Sequence, residues 1–557
     1  MLLPQFRCRS VNFLFAWLLF LVVIKTIGGD GDGTSVLESL GVFFFILDEP
    51  FVDEPDGSIL ENHLAENGVH PSLIFRSSRH MRDAGPGGES VSHPLALLRS
   101  RLPDGDGEEG EDKFLWVCFL TATTQVNPER LVAFIRSKED SRDPGTSPLF
   151  FGVGLQDPSL SIYHHFFRAP GFFYPFLPSG FILSRGLADS LLDSMEIELP
   201  RRAIDIDTIH DSAKEIWTRL KVSVRSDTAF CWQEPEGRFF TQRPPEGDSL
   251  EAPPPDQIER DQARAQCAFI SAPPLPSSGR GPRLQPKHVA ILVKTGRAMH
   301  ESRLPRLKAL WADPEGLPEG LAIRFMSDQA DDQIPTVGLP VEPVDSGHCE
   351  KMRGLIRYAE KAADLRDRLF YVIVDDDTLV SVRRLIALLD KFVEEGPGGA
   401  LRVIPMAAPV YMGRRYSYGH AAGPGGYDYV TTGGGLVVDR RGLALLGSEC
   451  RECRCSGPAD YDDMALGRWS TRQRMRPLNL ESFHQTPPGN YHPVHLRTGT
   501  HVTFHKFDSK EPENDDRTME GLLRPAPPFT STQLVLRFNG QSNQNEKPPH
   551  SSEKDEL

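Results

Sequence analysis

Short apolar runs recur along the chain, separated by stretches in which apolar residues return every three or four positions. In the C-terminal half the runs fall at 289–293, 321–325, 369–374 and 436–438, and in the N-terminal half a similar run occupies 114–119. Runs this short, flanked by amphipathic stretches, fit strands covered on both faces. The pattern predicts an α/β protein with buried parallel strands. Residues 378–389 read as a helix, and a second helical stretch begins at Asp462-Asp463. Residues 236–286 are rich in Pro, Gly and charge and read as a linker or a long excursion. The acidic, Gly-rich segment 77–112 and the polar tail beyond Phe507 read as mobile.

The two ends carry addresses. Arg7 and Arg9 precede an apolar run at 11–24, the length of a signal-peptide core and short for a full span; the alternative is a short anchor. The last four residues are Lys554-Asp555-Glu556-Leu557, a sequence read by the KDEL retrieval receptor, so residence in the lumen of the endoplasmic reticulum is expected. With 557 residues, two to four domains fit. A formal charge of −15 argues against nucleic acid as a partner. Of eight cysteines, Cys8 lies in the N-terminal signal. The other seven, in an oxidising lumen, predict disulfides with at least one thiol left over. The cluster Cys450, Cys453 and Cys455 is better read as disulfide-forming than as a zinc site.

The two halves resemble each other at a nearly fixed spacing. Trp116 and Tyr371 sit in matching apolar runs 255 positions apart, and the segments starting at Gly180 and Gly435 repeat that interval. Asp207-Thr208 falls opposite Asp462-Asp463, and Trp232 opposite His484 with the interval shortened to 252. Four matches in one order suggest a duplicated domain. The N-terminal copy has Leu120, Thr121 and Ala122 where the other has three aspartates, and Thr208 where the other has Asp463. It is therefore expected to be non-catalytic.

The chemistry is expected in the second copy. Asp375, Asp376 and Asp377 follow directly on an apolar run, and ligands of open α/β sheets bind beyond the carboxyl ends of strands. Three adjacent carboxylates repel one another unless a cation compensates, and oxygen ligands suit Mg²⁺ or Mn²⁺. Gly433, Gly434 and Gly435 allow close approach of backbone to a ligand. Asp462 and Asp463 open a helical stretch, where one can act as general base and the other can cap. His484 and His505 are the imidazoles available to complete a metal site.

In order and spacing these features resemble glycosyltransferase family 31, which includes the fringe enzymes and β1,3-galactosyltransferases. The matching residues are Val293-Lys294-Thr295, Arg303-Leu304, Trp311, Asp375-Asp376-Asp377, Gly433-Gly434-Gly435, Asp462 to Gly467 and Phe483-His484, within roughly 287–510. The resemblance extends to the branch that adds β1,3-glucose to O-linked fucose on thrombospondin type 1 repeats. It is carried there by Ile334-Pro335-Thr336-Val337, Gly347-His348-Cys349, Arg415 to Gly419, Gly426-Tyr427, the cysteine cluster, Phe504-His505-Lys506 and Ile162-Tyr163-His164-His165.

The resemblance implies two tandem GT-A-like (Rossmann-like) domains. The divisions are a signal or anchor at 1–28, a non-catalytic domain at 38–235, a linker at 236–286, a catalytic domain at 287–510 and a tail at 511–557. It implies a UDP-sugar donor, UDP-glucose in that branch, and Mn²⁺ (or Mg²⁺), with inverting transfer to O-fucosylated thrombospondin-repeat proteins. Asp463 corresponds to the base and Asp377 to the metal-binding aspartate. Asp375 and Asp376 would face the donor, and Arg303 and Asp328 the nucleotide. Fringe enzymes carry a second histidine where this chain has Thr486, so the imidazole ligand falls to His484 or His505, with His484 favoured. Rival readings are a family-31 enzyme moving galactose or GlcNAc, and a lectin-like quality-control factor without catalysis.

Overall fold

The apolar runs become the central strands of two sheets. The computed structural model describes residues 42–47, 58–66, 69, 74–76, 94, 98, 114–194, 204–233, 239–240, 266–271, 283–343, 348–404, 409–419, 426–498 and 501–507. The apolar run at 11–24, the C-terminal KDEL, almost all of the 77–112 segment and most of 236–286 lie outside those residues. Among the described residues no helix is long and apolar enough to cross a membrane.

The N-terminal half contributes strands β1 (Val42–Leu47), β2 (Ile74–Arg76), β3 (Trp116–Thr121), β4 (Phe150–Gly152), β5 (Phe181–Ser184), β6 (Ile204–Asp205) and β7 (Arg225–Ser226), with helix α1 (Thr208–Leu220) following β6. The C-terminal half contributes β8 (Val289–Lys294), β9 (Ala322–Ser327), β10 (Thr336–Gly338), helix α2 (Cys349–Lys361), β11 (Phe370–Asp375), β12 (Thr378–Val380), β13 (Tyr411–Gly413), β14 (Arg415–Tyr418), β15 (Tyr427–Val430), β16 (Leu436–Asp439), helix α3 (Asp462–Arg472), β17 (Leu478–Asn479), β18 (Phe483–His484) and β19 (Thr503–His505).

The first sheet runs β7-β4-β5-β3-β1-β2 and the second β10-β9-β8-β11-β16-β13-β17. In the first, β1 lies parallel to β2 and β3, whereas β5 runs antiparallel to both β3 and β4. In the second, β8 lies parallel to β9 and β11, whereas β16 runs antiparallel to both β11 and β13. The run at 436–438 is thus not one of the parallel strands expected from the sequence. Burial on both faces makes a strand uniformly apolar whichever way it points, so composition carries no record of direction. Every residue of β8 is buried, as are the apolar residues of β11, and the core lies on both sides of them.

Two small sheets place the site. Residues 378–380, read as the start of a helix, instead form β12; the helix there is Val382–Leu389. Strand β12 pairs with β19, with Thr378 opposite His505, and β18 lies parallel to β19 on the other side. The chain therefore leaves the three aspartates as a strand whose partner ends in a histidine. The second small sheet runs β15-β14-β6, with β6 supplied by the N-terminal half.

Disulfides join Cys231 to Cys267, Cys349 to Cys455 and Cys450 to Cys453, and Cys118 is a buried free thiol. The cysteine cluster is thus consumed in disulfides, as expected from the sequence. The Cys349–Cys455 bond ties the start of α2 to the segment that leads into α3.

Helix α3 is seated directly against β15. A Cβ at Gly467 would lie 2.5 Å from Tyr429 Cβ, 2.8 Å from Tyr427 Cδ2 and 3.0 Å from the Asp428 carbonyl oxygen. Gly467→Ala is expected to cost about 1–3 kcal/mol, read as a lowered denaturant midpoint; an unchanged midpoint would mean that the helix does not sit against this strand.

Candidate active site

Strands β8 and β11 end together. Their register sets Lys294 opposite Asp375, so the last side chains of two buried parallel strands meet at the carboxyl edge of the sheet. Lys294 Nζ lies 2.9 Å from Asp375 Oδ1 and also contacts Asp462 Oδ2 at the head of α3. Burial pulls the lysine pKa down, but the Asp375 and Asp462 carboxylates more than offset this and hold it well above its ordinary value. The ammonium stays charged and cross-links β11 to α3.

The next aspartates have their own cations. Asp376 accepts from Thr295 Oγ1 at 2.7 Å and from Arg303 Nη1 at 2.7 Å. Burial still leaves the Asp376 pKa raised, with Arg303 pulling against it. Asp377 faces Arg303 Nη1 at 3.3 Å and His505 Nε2 at 3.0 Å. Burial pushes its pKa up, and His505 and Arg303 more than reverse this. The second contact of the His505 ring decides its tautomer. Nδ1 lies 3.1 Å from the Gln485 carbonyl oxygen, which only accepts, so Nδ1 carries the hydrogen and Nε2 points at Asp375 and Asp377.

These contacts bear on metal binding. Asp375, Asp377 and His505 each present a ligand atom within 4.8 Å of the others. Asp375 Oδ1 and Asp377 Oδ1 are buried without a hydrogen bond, the first facing the Lys294 ammonium and the second the His505 ring. A histidine whose far nitrogen is held by a carbonyl, beside two carboxylates, is a donor set suited to a divalent cation such as Mn²⁺ or Mg²⁺.

His484, the imidazole favoured from sequence, lies outside this cluster. Its Nε2 is 2.7 Å from His501 Nδ1, and His501 Nε2 in turn donates to the Leu496 carbonyl at 2.7 Å. That chain makes His484 the donor to His501. Its ring is buried and stacks on Phe504 at 4.4 Å, and burial holds its pKa well below the usual value. His505 takes the place beside the aspartates because its strand pairs with β12.

The first of the three glycines makes room for the same histidine. A Cβ at Gly433 would lie 2.3 Å from His505 Cε1 and 2.4 Å from Nδ1. Gly435 has φ +99 and sits against Phe483 and Val374, and the Gly434 amide donates to Gln485 Oε1 at 2.7 Å. The sequence suggested ligand approach for the run; in the structure Gly433 leaves room for an imidazole, and Gly434 and Gly435 lie against residues 483–485. Asp328 lies further along the edge, at the end of β9. There it accepts from the Arg297 amide at 2.8 Å and pairs with Lys351 at 3.2 Å. It is not among the clustered carboxylates, whereas Arg303 contacts two of them.

The paired aspartates of α3 divide their roles. Asp462 is buried, bound to Lys294, and accepts from Thr432 Oγ1 at 3.4 Å and from the Asp463 amide at 3.0 Å. Asp463 is only partly buried, accepts from the Met464 amide at 2.7 Å, and makes no ion pair among the described residues. Burial and the adjacent Asp462 push its pKa up to about 7. A carboxylate with raised pKa, free of any cation and beside a cation-binding cluster, is a general-base candidate. Lys294 and Thr295 entered the sequence reading only as part of a motif. The available signal was a lysine closing an otherwise apolar strand.

Comparison with known proteins agrees with this geometry. Residues 284–521 match the family described as Fringe-like. The Homo sapiens protein named β-1,3-glucosyltransferase is 29% identical over 402 residues, spanning 71% of this chain and 69% of its own. The Mus musculus protein of that name is 30% identical over 395 residues, 70% of this chain and 69% of its own. Among solved structures, a glycosyltransferase involved in the glycosylation of the major capsid of PBCV-1 aligns with 42% of this chain and 98% of its own. The identity is 13% and the TM-score 0.26, too loose to argue from.

Gly433→Ala drives a methyl group into the His505 ring. Affinity for Mn²⁺, measured by calorimetry on the full chain, is expected to fall about 10- to 100-fold. Unchanged affinity would remove His505 from the cation site.

Proposed function

The chain belongs to the Fringe-like glycosyltransferase family and is a hexosyltransferase, and from that premise we propose that it transfers glucose from UDP-glucose, in β1,3 linkage, to O-linked fucose on thrombospondin type 1 repeats in the lumen of the endoplasmic reticulum. The observation that carries the reading is Asp463, a raised, uncompensated carboxylate at the head of α3, beside a cluster suited to a divalent cation. The names of the relatives support glucose as the sugar. The acceptor and compartment rest on the family resemblance, and the compartment also on the terminal Lys554-Asp555-Glu556-Leu557.

An inverting transfer is one in-line displacement. The acceptor hydroxyl needs a base within hydrogen-bond reach, and the departing nucleotide needs its negative charge matched. Asp463 takes the hydroxyl proton. Asp462 cannot, because Lys294 already holds it. Arg303 holds Asp376 and Asp377 in place and offers positive charge at the same edge. Mn²⁺ held by Asp375, Asp377 and His505 would supply charge neutralisation at the diphosphate.

We read the N-terminal half as a non-catalytic copy of the same GT-A-like domain. The matching strand order and directions of the two sheets support this. So does the end of β3, where Leu120, Thr121 and Ala122 stand in place of the aspartates.

The test is a donor panel. Purified protein with Mn²⁺ and a folded O-fucosylated thrombospondin repeat is given UDP-glucose, UDP-galactose or UDP-GlcNAc, with mass spectrometry as readout. Hexose addition from UDP-glucose alone, abolished by EDTA, is expected; transfer from another donor would reassign the sugar, and UDP binding without any transfer would reject the acceptor. Asp463→Asn is expected to lose at least about a hundredfold in kcat while keeping UDP affinity. Because the base acts ionised and its pKa is raised to about 7, kcat/KM is expected to fall about tenfold per pH unit below that value. An acid limb near the ordinary carboxylate value would reject Asp463 as the base.

A further inference from the structure

The N-terminal half reaches the base through two contacts. Strand β6 pairs antiparallel with β14, Asp205 opposite Ser417 and Ile204 opposite Tyr418. Strand β14 pairs with β15, and β15 is the strand against which Gly467 of α3 is pressed. The N-terminal half thus supplies the outer strand of the sheet that seats the Asp463 helix.

The second contact is a buried clamp. Tyr163 lies in the apolar core of the C-terminal half, 5.1 Å from the Tyr491 ring, and its hydroxyl accepts from Arg414 Nη2. Arg414 is buried, also pairs with Glu481, and lies between β13 and β14. Its carbonyl accepts from the Thr431 amide at 3.0 Å, and the next residue, Thr432, donates to Asp462. Holding Arg414 therefore fixes where β14 departs and where residues 431–432 meet α3.

The loop that presents Tyr163 is itself tightly fixed. The adjacent His164 is buried between Asp157 (Nδ1 to Oδ2, 2.6 Å) and Asp207 (Nε2 to Oδ2, 3.3 Å). Burial pulls its pKa down, and the two carboxylates more than offset this, raising it to about 9. Asp207 also caps α1, two residues after β6. His165 and Phe166 follow with φ 53 and φ 51. Left-handed backbone at two consecutive non-glycine residues persists only where the surroundings enforce it, and it concentrates at functional positions. The group Asp157, His164 and His210 has the composition of a metal site, but the two imidazoles are stacked 3.9 Å apart and parallel within 2°. In-plane lone pairs of parallel rings cannot meet on one ion.

We propose that the N-terminal half positions the general base, with Tyr163, His164 and Arg414 as positioning residues acting through β14, β15 and α3 on Asp463. This rests on the assignment of Asp463 above. A misplacement of about 1 Å in a reacting group costs up to about a hundredfold in rate, so a sheet edge that sets the pitch of α3 has direct leverage on turnover.

The test uses the full chain carrying Tyr163→Phe, which keeps the ring in the core and removes the hydroxyl. The expected result is a fall in kcat of about ten- to a hundredfold with the KM for UDP-sugar unchanged. Amide exchange should accelerate in residues 462–472 while residues 349–361 keep wild-type protection. His164→Gln is expected to act in the same direction. Wild-type kcat with unchanged exchange at 462–472 would overturn the proposal, as would a uniform loss of protection or a parallel loss of donor affinity, which describe general destabilisation. If wild-type protein fails to transfer to the fucosylated acceptor, the acceptor assignment falls, and the exchange comparison still decides the clamp.

Discussion

The ammonium of Lys294 sits 2.9 Å from Asp375 and against Asp462, between the tip of β11 and the head of α3. Five aspartates meet at this edge of the sheet, at 375–377 and 462–463. Buried carboxylates at such spacing raise one another's pKa or force the chain apart unless positive charge is interleaved. Lys294 is fixed in that role by strand register, since the residue opposite Asp375 on β8 is Lys294. Its companions come from elsewhere in the chain: Arg303 just after β8, His505 from the last described strand. The site is thus an alternation of charges assembled from four distant segments. Removing Lys294 would leave Asp462 buried without a cation, a far larger penalty than the net worth of the ion pair itself.

The same cation separates two neighbouring residues of identical type. Asp462 and Asp463 are adjacent on α3 and share its N-terminal field. Lys294 binds one and not the other, and the neighbouring Asp462 adds to the burial that raises Asp463. One carboxylate is thereby anchored by a cation, and the other makes no ion pair among the described residues.

The elements written locally were legible in the sequence. The aspartates after a buried strand, the helix opening on Asp462 and the disulfide use of the cysteine cluster follow from adjacent residues. What stayed hidden depends on pairing between distant segments. Residues 378–380 read as helix because an amphipathic helix follows at once; only their partner, 503–505, makes them a strand. Without that partner nothing in the local sequence prefers His505 to His484. The direction of β16 and the purpose of Gly433 were hidden likewise, since a Gly-rich run looks the same whether it admits a ligand or an imidazole ring.

The N-terminal half repeats the strand order of the other half without the aspartates at the matching strand end. Strand β3 ends in Leu120-Thr121-Ala122, where Thr121 and Thr124 bond to each other and to neighbouring backbone. The edge that would bear a cation is closed by hydroxyls. This half keeps an ion cluster of the buried Asp157 and His164 with the half-buried Asp207, beside the loop that carries Tyr163. An ion cluster of this kind is stable only when every member is satisfied, and the segment satisfying it carries Tyr163 into the neighbouring core and β6 onto the neighbouring sheet. Polar groups of one half thereby hold a loop and a strand that pack into the other.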